Sequence, residues 1–151
     1  MNIREILEAK GKQVFSVKPT DTIAVLSKEL REHGVGGAVV SRDGRSIDGV
    51  ITERDVTYGL GVYGAGLHEL PVSELMTKNV ITCAPNDTVA SVASIMLARK
   101  IRHVPVEEDG RLIGMLSIRD MLKERIDHLQ QATAQLRSFV KETNREPQDR
   151  D

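Results

Sequence analysis

Gly49-Val50-Ile51-Thr52-Glu53-Arg54-Asp55 returns later in the chain as Gly114-Met115-Leu116-Ser117-Ile118-Arg119-Asp120, a shift of 65 positions. Upstream, Val14 to Arg45 lies on Val80 to Arg111 at a shift of 66. This matches Val14 with Val80, Pro19 with Pro85, Asp21 with Asp87, Thr22 with Thr88, Ala24 with Ala90, Val40 with Val106, and Asp43-Gly44-Arg45 with Asp109-Gly110-Arg111. Ser46 is the extra residue that changes the shift, and a one-residue slip inside a turn is what two copies of a fold unit tolerate. The ordered series makes the chain a duplication.

Each half reads as strand, helix, two strands and a second helix, so the fold class is α/β. In the second half Val80-Ile81-Thr82-Cys83 is a short strand broken by Pro85-Asn86-Asp87. A helix is predicted from about Thr88 to Arg99, capped by Asp87 or Asn86, with Val89, Val92, Ala93 and Met96 on its buried face. The first-half counterparts are Ile23, Leu26, Ser27 and Leu30. Strands follow at Ile101 to Val106 and Leu112 to Leu116, with Glu108-Asp109-Gly110 between them, and Ser117 caps the closing helix. The same roles fall to Gly37 to Val40, Ile47 to Ile51 and Thr52. Gly59, Gly61, Gly64 and Gly66 loosen the end of the first unit, and Ser73 to Met76 is a short helical turn. The two copies are expected to share one core across their sheets.

A length of 151 residues with 40% hydrophobic content fills a core. The formal charge of -1 gives no surface that concentrates polyanions, and Trp is absent, so general nucleic-acid binding is disfavoured. One cysteine, Cys83, rules out an internal disulfide framework and a Cys-rich zinc site, and a reducing cytoplasm is the expected setting. Cys83 is read as a small strand side chain rather than a redox centre. The amino terminus lacks a signal-peptide pattern, and no segment approaches the roughly 20 apolar residues of a membrane span.

The duplicated motifs, with Arg102-His103-Val104-Pro105-Val106 in the second half, resemble the tandem CBS-domain family. The resemblance covers roughly residues 1 to 125; the first half departs from it at Gly36-Gly37-Ala38-Val39-Val40, which lacks the His-Val-Pro arrangement. It implies a CBS-domain pair with a carboxy-terminal helix: residues 1–66 as the first repeat with a preceding helix, 67–125 as the second repeat, 126–143 as a helical extension and 144–151 as a flexible tail. It further implies a disc-like module whose clefts take adenosine-containing ligands, with the Thr52/Asp55 and Ser117/Asp120 pairs lining them.

Physical chemistry is compatible with those roles. Ser117 and nearby helix amides suit a phosphate, Asp120 accepts from ribose hydroxyls, and Arg119 neutralises phosphate if it turns inward. Thr52, Asp55 and Arg54 repeat the set. In the first cleft Phe15, Ser16 and Ala38 are candidates for an adenine slot, and Gly36-Gly37 offers backbone donors. In the second, Ile81, Thr82 and Val104 are candidates for the slot, and the resemblance implies that Arg102 and His103 line the phosphate side, strand-edge packing being the alternative. The clefts are therefore expected to be unequal. The competing reading is structural: Thr or Ser followed three residues later by Asp is also a capping box, and apolar strand residues are ordinary core. His33, His68, His103 and His128 have no metal-ligand spacing, and no nucleophilic constellation accompanies them, so no metal, catalytic residue or catalytic cofactor is assigned.

After Asp120, Leu122, Ile126, Leu129, Thr133, Leu136 and Val140 alternate spacings of four and three along one helical stripe. The stripe could pack on its own module, dimerise two chains or contact a regulated protein; the resemblance favours a homodimer. The function expected is sensing of AMP, ADP, ATP or NAD, without catalysis. The alternative is a constitutive homodimerisation or interaction module without ligand control.

Overall fold

Thr22 and Thr88, matched in the duplicated sequence, each cap the first helix of their half. Thr22 Oγ1 accepts from the Val25 amide at 3.2 Å and Thr88 Oγ1 from the Ser91 amide at 3.1 Å, satisfying donors that have no partner inside a helix. The computed structural model, which describes residues 1–11 and 13–145, places these helices in a repeated order. The first half runs β1 (Ser16–Val17), α2 (Ile23–His33), β2 (Gly37–Val40), β3 (Gly49–Thr52) and α3 (Glu53–Tyr63), after an opening helix α1 (Ile3–Lys10). A 3₁₀ segment (Gly64–Glu69) and the short α4 (Val72–Leu75) lead into the second half, α5 (Val89–Arg99), β4 (His103–Glu108), β5 (Arg111–Ser117) and α6 (Ile118–Thr143).

In the first sheet β1 pairs parallel to β2, and β2 antiparallel to β3 with Gly37 opposite Thr52. In the second, β4 and β5 pair antiparallel with His103 opposite Ser117. The expected strand Val80 to Cys83 shrinks to one parallel bridge between Cys83 and Val106. The cause is Pro105. In the first half the Val39 amide donates to Phe15 O and the Ser41 amide to Val17 O. Only the second bond has a counterpart, from the Glu107 amide to Cys83 O at 2.9 Å. Pro105 stands where Val39 stands and has no N–H to give Ile81.

The helix predicted from Thr88 starts at Val89, with Thr88 rather than Asp87 or Asn86 as its cap. Asp87 is engaged one turn back, accepting from the Ala84 amide at 2.8 Å, as Asp21 accepts from the Lys18 amide at 2.9 Å. Ser27 faces outward, while Ile23, Leu26 and Leu30 are buried. Helix α3 continues through Gly59 and Gly61 instead of loosening there, because Gly59 is buried where Leu67 and Leu75 approach its backbone.

The turns explain the slip at Ser46. Asp109 and Gly110, both with positive φ (52° and 76°), connect β4 and β5 in two residues. The first half needs a longer loop, organised by Asp43, whose Oδ1 accepts from the Arg45 amide and from the amide and hydroxyl of Ser46, at 2.8 to 2.9 Å. Those bonds hold the Asp43 carboxyl far below its ordinary range.

The expected single core is two. Val17, Ile23, Leu26, Leu30, Ala38, Val40, Ile51, Leu67 and Val72 form one cluster; Ile3, Ile6, Cys83, Val92, Met96, Val104, Val106, Leu116 and Met121 form the other. Helix α1, at the start of the chain, packs with the second half. Cys83 is buried there, and burial, reinforced by the charge of Asp87, pushes its thiol up to about 12. α6 is continuous through the position where the extension was expected to begin. Of the expected tail 144–151, Asn144 and Arg145 form a turn, and the rest lies outside the described residues. No helix among the described residues is long and apolar enough to cross a membrane.

Gly49 in β3 offers a test of this packing. A Cβ there would stand 2.7 Å from Met76 Sδ and 2.9 Å from the Thr77 carbonyl oxygen, and the carbonyl is held by its pairing with Val50. Gly49→Ala is expected to lower stability by about 1–3 kcal/mol, the usual cost of overpacking. Urea unfolding checks it; an unchanged midpoint would contradict the packing.

Candidate functional site

Thr52 and Ser117 end the last strand of each half and begin its last helix, and each closes a capping box with the Asp three residues on. Asp55 Oδ2 accepts from the Thr52 amide at 2.9 Å and its hydroxyl at 3.3 Å. Asp120 Oδ2 accepts from the Ser117 amide at 2.8 Å and its hydroxyl at 3.0 Å. Both carboxylates are thus structural caps, yet Oδ1 of each accepts no hydrogen bond from the described residues. A capped carboxylate with one free oxygen is a positioned acceptor for a ligand hydroxyl.

Each carboxylate opens into a cleft, and each cleft is built from both halves. Thr52, Glu53, Arg54 and Asp55 face Asn79, Val80, Ile81, Lys100, Ile101, Arg102 and His103. Ser117, Ile118, Arg119 and Asp120 face Gln13, Phe15, Gly34, Val35, Gly36 and Gly37. The facing sets are repeat partners: Gln13 with Asn79, Phe15 with Ile81, Gly34 with Lys100, Gly36 with Arg102, Gly37 with His103. This corrects the expectation that each half supplies its own cleft only in part. Ile81 lies with Asp55, and Phe15 and Gly37 lie with Asp120. Gly36, Arg102 and His103 line both clefts, so that Gly36 lies with Asp55, and Arg102 and His103 with Asp120, as expected. The reason is that the two halves meet at these strand entries, so each cap looks across at the other half.

Four slot candidates lie elsewhere. Ala38 and Val104 are fully buried in the two cores, and Ser16 and Thr82 lie outside the cleft linings. Phe15 does line its cleft, stacked on His33 with ring centroids 4.5 Å apart. Arg54 and Arg119 line theirs, and Arg54 Nη1 donates to the Lys100 carbonyl at 3.2 Å, tying the halves together.

His103 stands at the junction and lines both clefts. A methyl group at Gly37 would lie 3.1 Å from three atoms of its ring. Its Nδ1 is buried without a hydrogen-bond partner. Burial depresses its pKa below 6.5 despite the pull of Glu53, which faces it together with Lys10, Asp120 and Arg102. A methyl at Gly36 would meet the Glu53 carboxylate at 3.2 Å, and the Glu53 amide donates to Gly36 O at 2.9 Å.

The clefts differ as expected, but for an additional reason. The Asp120 cleft encloses about 490 Å³ and the Asp55 cleft about 180 Å³. Asp120 is also paired with Lys10, Nζ to Oδ2 at 2.8 Å. Burial raises the Asp120 pKa, but Lys10 and the Ser117 donors outweigh it and hold it below 3.8. Sequence reasoning missed Lys10, Gln13, Glu53 and Lys100. Gln13 and Lys100 were reachable by extending the repeat pairing to Asn79 and Gly34; Lys10 was not, because nothing in the sequence says which half α1 packs on. A larger cavity, about 640 Å³ between α5 and α6, is lined by Ala93, Met96, Leu97, Met121 and Leu122 among others and has no hydroxyl–carboxylate cap. Among the described residues no group of His, Cys, Asp or Glu is placed to hold a metal ion.

Comparison with known proteins agrees with this geometry. The CBS domain family profile matches residues 3–61 and again 72–127. A 17.7 kDa protein of Acidianus ambivalens is 36% identical over 118 residues, 76% of this chain and 69% of that protein. The crystal structure of the CBS-domain containing protein ATU1752 from Agrobacterium tumefaciens superposes with a TM-score of 0.79 at 38% identity, covering 82% of this chain and 92% of that one. The CBS domain pair of protein MJ0100, solved with 5′-methylthioadenosine and S-adenosyl-L-methionine, superposes at 0.72 with 25% identity, covering 82% and 98%.

The junction yields a pH prediction. Because the folded pKa of His103 lies below 6.5, the unfolded chain takes up its proton first, and stability is lost as pH falls below about 6.5. Asp120 acts in a separate window, since its contribution is present above 3.8 and disappears only as pH falls through its depressed folded value. His103→Gln is expected to shrink the loss of urea stability between about pH 7.5 and about pH 5.5. An equal loss in variant and wild type would contradict the neutral buried imidazole.

Proposed function

The chain belongs to the CBS-domain family and carries two copies of the domain, and from that premise we propose that it is a regulatory module that binds adenosine-containing ligands in its two clefts. The observation that carries the reading is the pair of capped carboxylates, Asp55 and Asp120, each with a free oxygen in a cleft closed by the opposite half. The MJ0100 pair supports the ligand class, because both compounds in its structure contain adenosine. AMP, ADP, ATP or NAD share that adenosine. Arg54, Lys100, Arg102 and Arg119 add cations for a phosphate. A ligand then shifts the balance between arrangements of the halves by its differential affinity for them. The reading assigns no bond-making step to the chain.

Asparagine retains the shape of each carboxylate and removes its charge. Calorimetric titration with adenosine, AMP, ADP, ATP and NAD is expected to give saturable binding. Asp55→Asn and Asp120→Asn should each weaken one site roughly tenfold or more, the scale of a hydrogen bond to a charged group. No saturable binding by ligand-free wild type would overturn the reading; unchanged binding in both variants would overturn the ribose roles.

A second observation supports self-association. On α6, Leu122, Ile126, Leu129, Leu136 and Val140 are each at least half exposed. In heptad terms Leu122, Leu129 and Leu136 take one core position, and Ile126, Thr133 and Val140 the other. Leu at d with β-branched residues at a favours a parallel two-stranded coiled coil. We infer a homodimer joined along α6. Light scattering is expected to give a dimer for wild type and a monomer for the Leu129→Asp/Leu136→Asp double variant; a monomeric wild type would contradict it.

A further inference from the structure

Lys10 closes α1, and its ammonium reaches into the second half. Nζ donates to Asp120 Oδ2 at 2.8 Å and to the Met115 carbonyl at 2.8 Å. An ammonium has three protons, so one remains for a further acceptor. The pair is set into the cleft: the side chains are 37% and 19% exposed, and Arg102 and Arg119 line the same space.

The helix that carries Lys10 is fixed at both ends. Its start is held by backbone bonds from the Ile3 amide to Asp87 O and from the Arg4 amide to Pro85 O, at 3.0 and 2.9 Å. Near its end Leu7 packs on Gly114, where a Cβ would stand 2.6 Å from Leu7 Cδ2. Lys10 is therefore delivered to Asp120 by the packing of α1, unlike a long surface side chain that samples many positions.

The duplication supplies the contrast. At the shift of 66, Ile6 in the second core corresponds to Val72 in the first, and Lys10 corresponds to Met76. The thioether of Met76 lies against Gly49 and carries no charge. Asp55 accepts from Thr52 alone and forms no ion pair among the described residues. Two carboxylates of the same cap geometry thus sit in different fields. A phosphate brought beside an unpaired carboxylate is repelled by it. Beside a carboxylate already neutralised by an ammonium, it meets the remaining cations.

Resting on the reading of the clefts as adenosine sites, we propose that Lys10 is the charge-selecting residue of the Asp120 cleft. It keeps the carboxylate paired, and its remaining proton, with Arg102 and Arg119, receives an anionic group on the ligand. In the Asp55 cleft the cations are Arg54, Lys100 and Arg102, and none of them forms an ion pair with Asp55 among the described residues.

The test uses the full chain carrying Asp55→Asn, which weakens the other cleft, and calorimetric titration with adenosine and AMP. Adding Lys10→Met is expected to weaken AMP by about tenfold or more, as for one charge-assisted hydrogen bond, with a much smaller change for adenosine. Lys10→Arg should restore most of the preference. An unchanged AMP-to-adenosine ratio in Lys10→Met overturns the inference while leaving the adenosine reading standing. Equal weakening of both ligands also overturns it, because a residue that only held α1 in place would act on both alike. Failure of the wild-type chain to bind either compound removes the inference together with the reading beneath it.

Discussion

No methyl group fits without displacement between the backbone at Gly37 and the ring of His103. That contact is one of several through which the two halves of the chain meet, together with the Arg54–Lys100 and Leu112–Arg45 hydrogen bonds, and it lies where the linings of both clefts overlap. It brings the entry of β2 against the entry of β4, so the cap at Thr52 looks across at Lys100 to His103, and the cap at Ser117 looks across at Gly34 to Gly37. A side chain at Gly37 would require the His103 ring to shift by a few tenths of an ångström at the point both clefts share. The same junction leaves His103 Nδ1 buried without a partner, a cost the fold offsets elsewhere. Glu53 lines both clefts as well, its amide bonded to Gly36 and its carboxylate beside it.

The two halves repeat one order of elements, but their side chains differ at matched positions. Repeat-related positions pair Gly34 with Lys100, Gly36 with Arg102, Gly37 with His103 and Met76 with Lys10. Three of these place a basic or titratable side chain of the second half opposite a glycine of the first, and the fourth is an exchange of a thioether for an ammonium. Duplication supplied two clefts with the same hydroxyl–carboxylate cap; divergence at a few rim positions gave them different fields. Such a pair can respond to two ligands of one chemical class, and coupling between them needs no more than the shared junction.

Much of the fold was legible in the chain. The repeat, the turn expected at Glu108-Asp109-Gly110, which the structure narrows to Asp109-Gly110, and the caps at Thr52 and Ser117 all rest on local rules that act within a few residues. The losses came where a distant partner decides. The strand at Val80 to Cys83 failed because Pro105, on another element, has no N–H to pair with it. The helix of residues 3–10 joined the second core because Ile3 and Ile6 find Val92 and Leu116 there. The cleft residues were named in large part, but grouped by half, since sequence proximity cannot reveal that each cap faces the opposite repeat. Ala38 and Val104 were misplaced for a related reason: strand residues adjacent to a site alternate between cleft and core, and both point to the core.

The central claim is that each cleft belongs to both halves, and hydrogen exchange with a ligand at one site tests it most directly. In the Asp55→Asn chain saturated with an adenosine phosphate, amides in residues 13–37 of the first half should slow together with those at 117–120. Protection confined to residues 80–120 would mean that each half binds its own ligand, and would contradict the shared clefts.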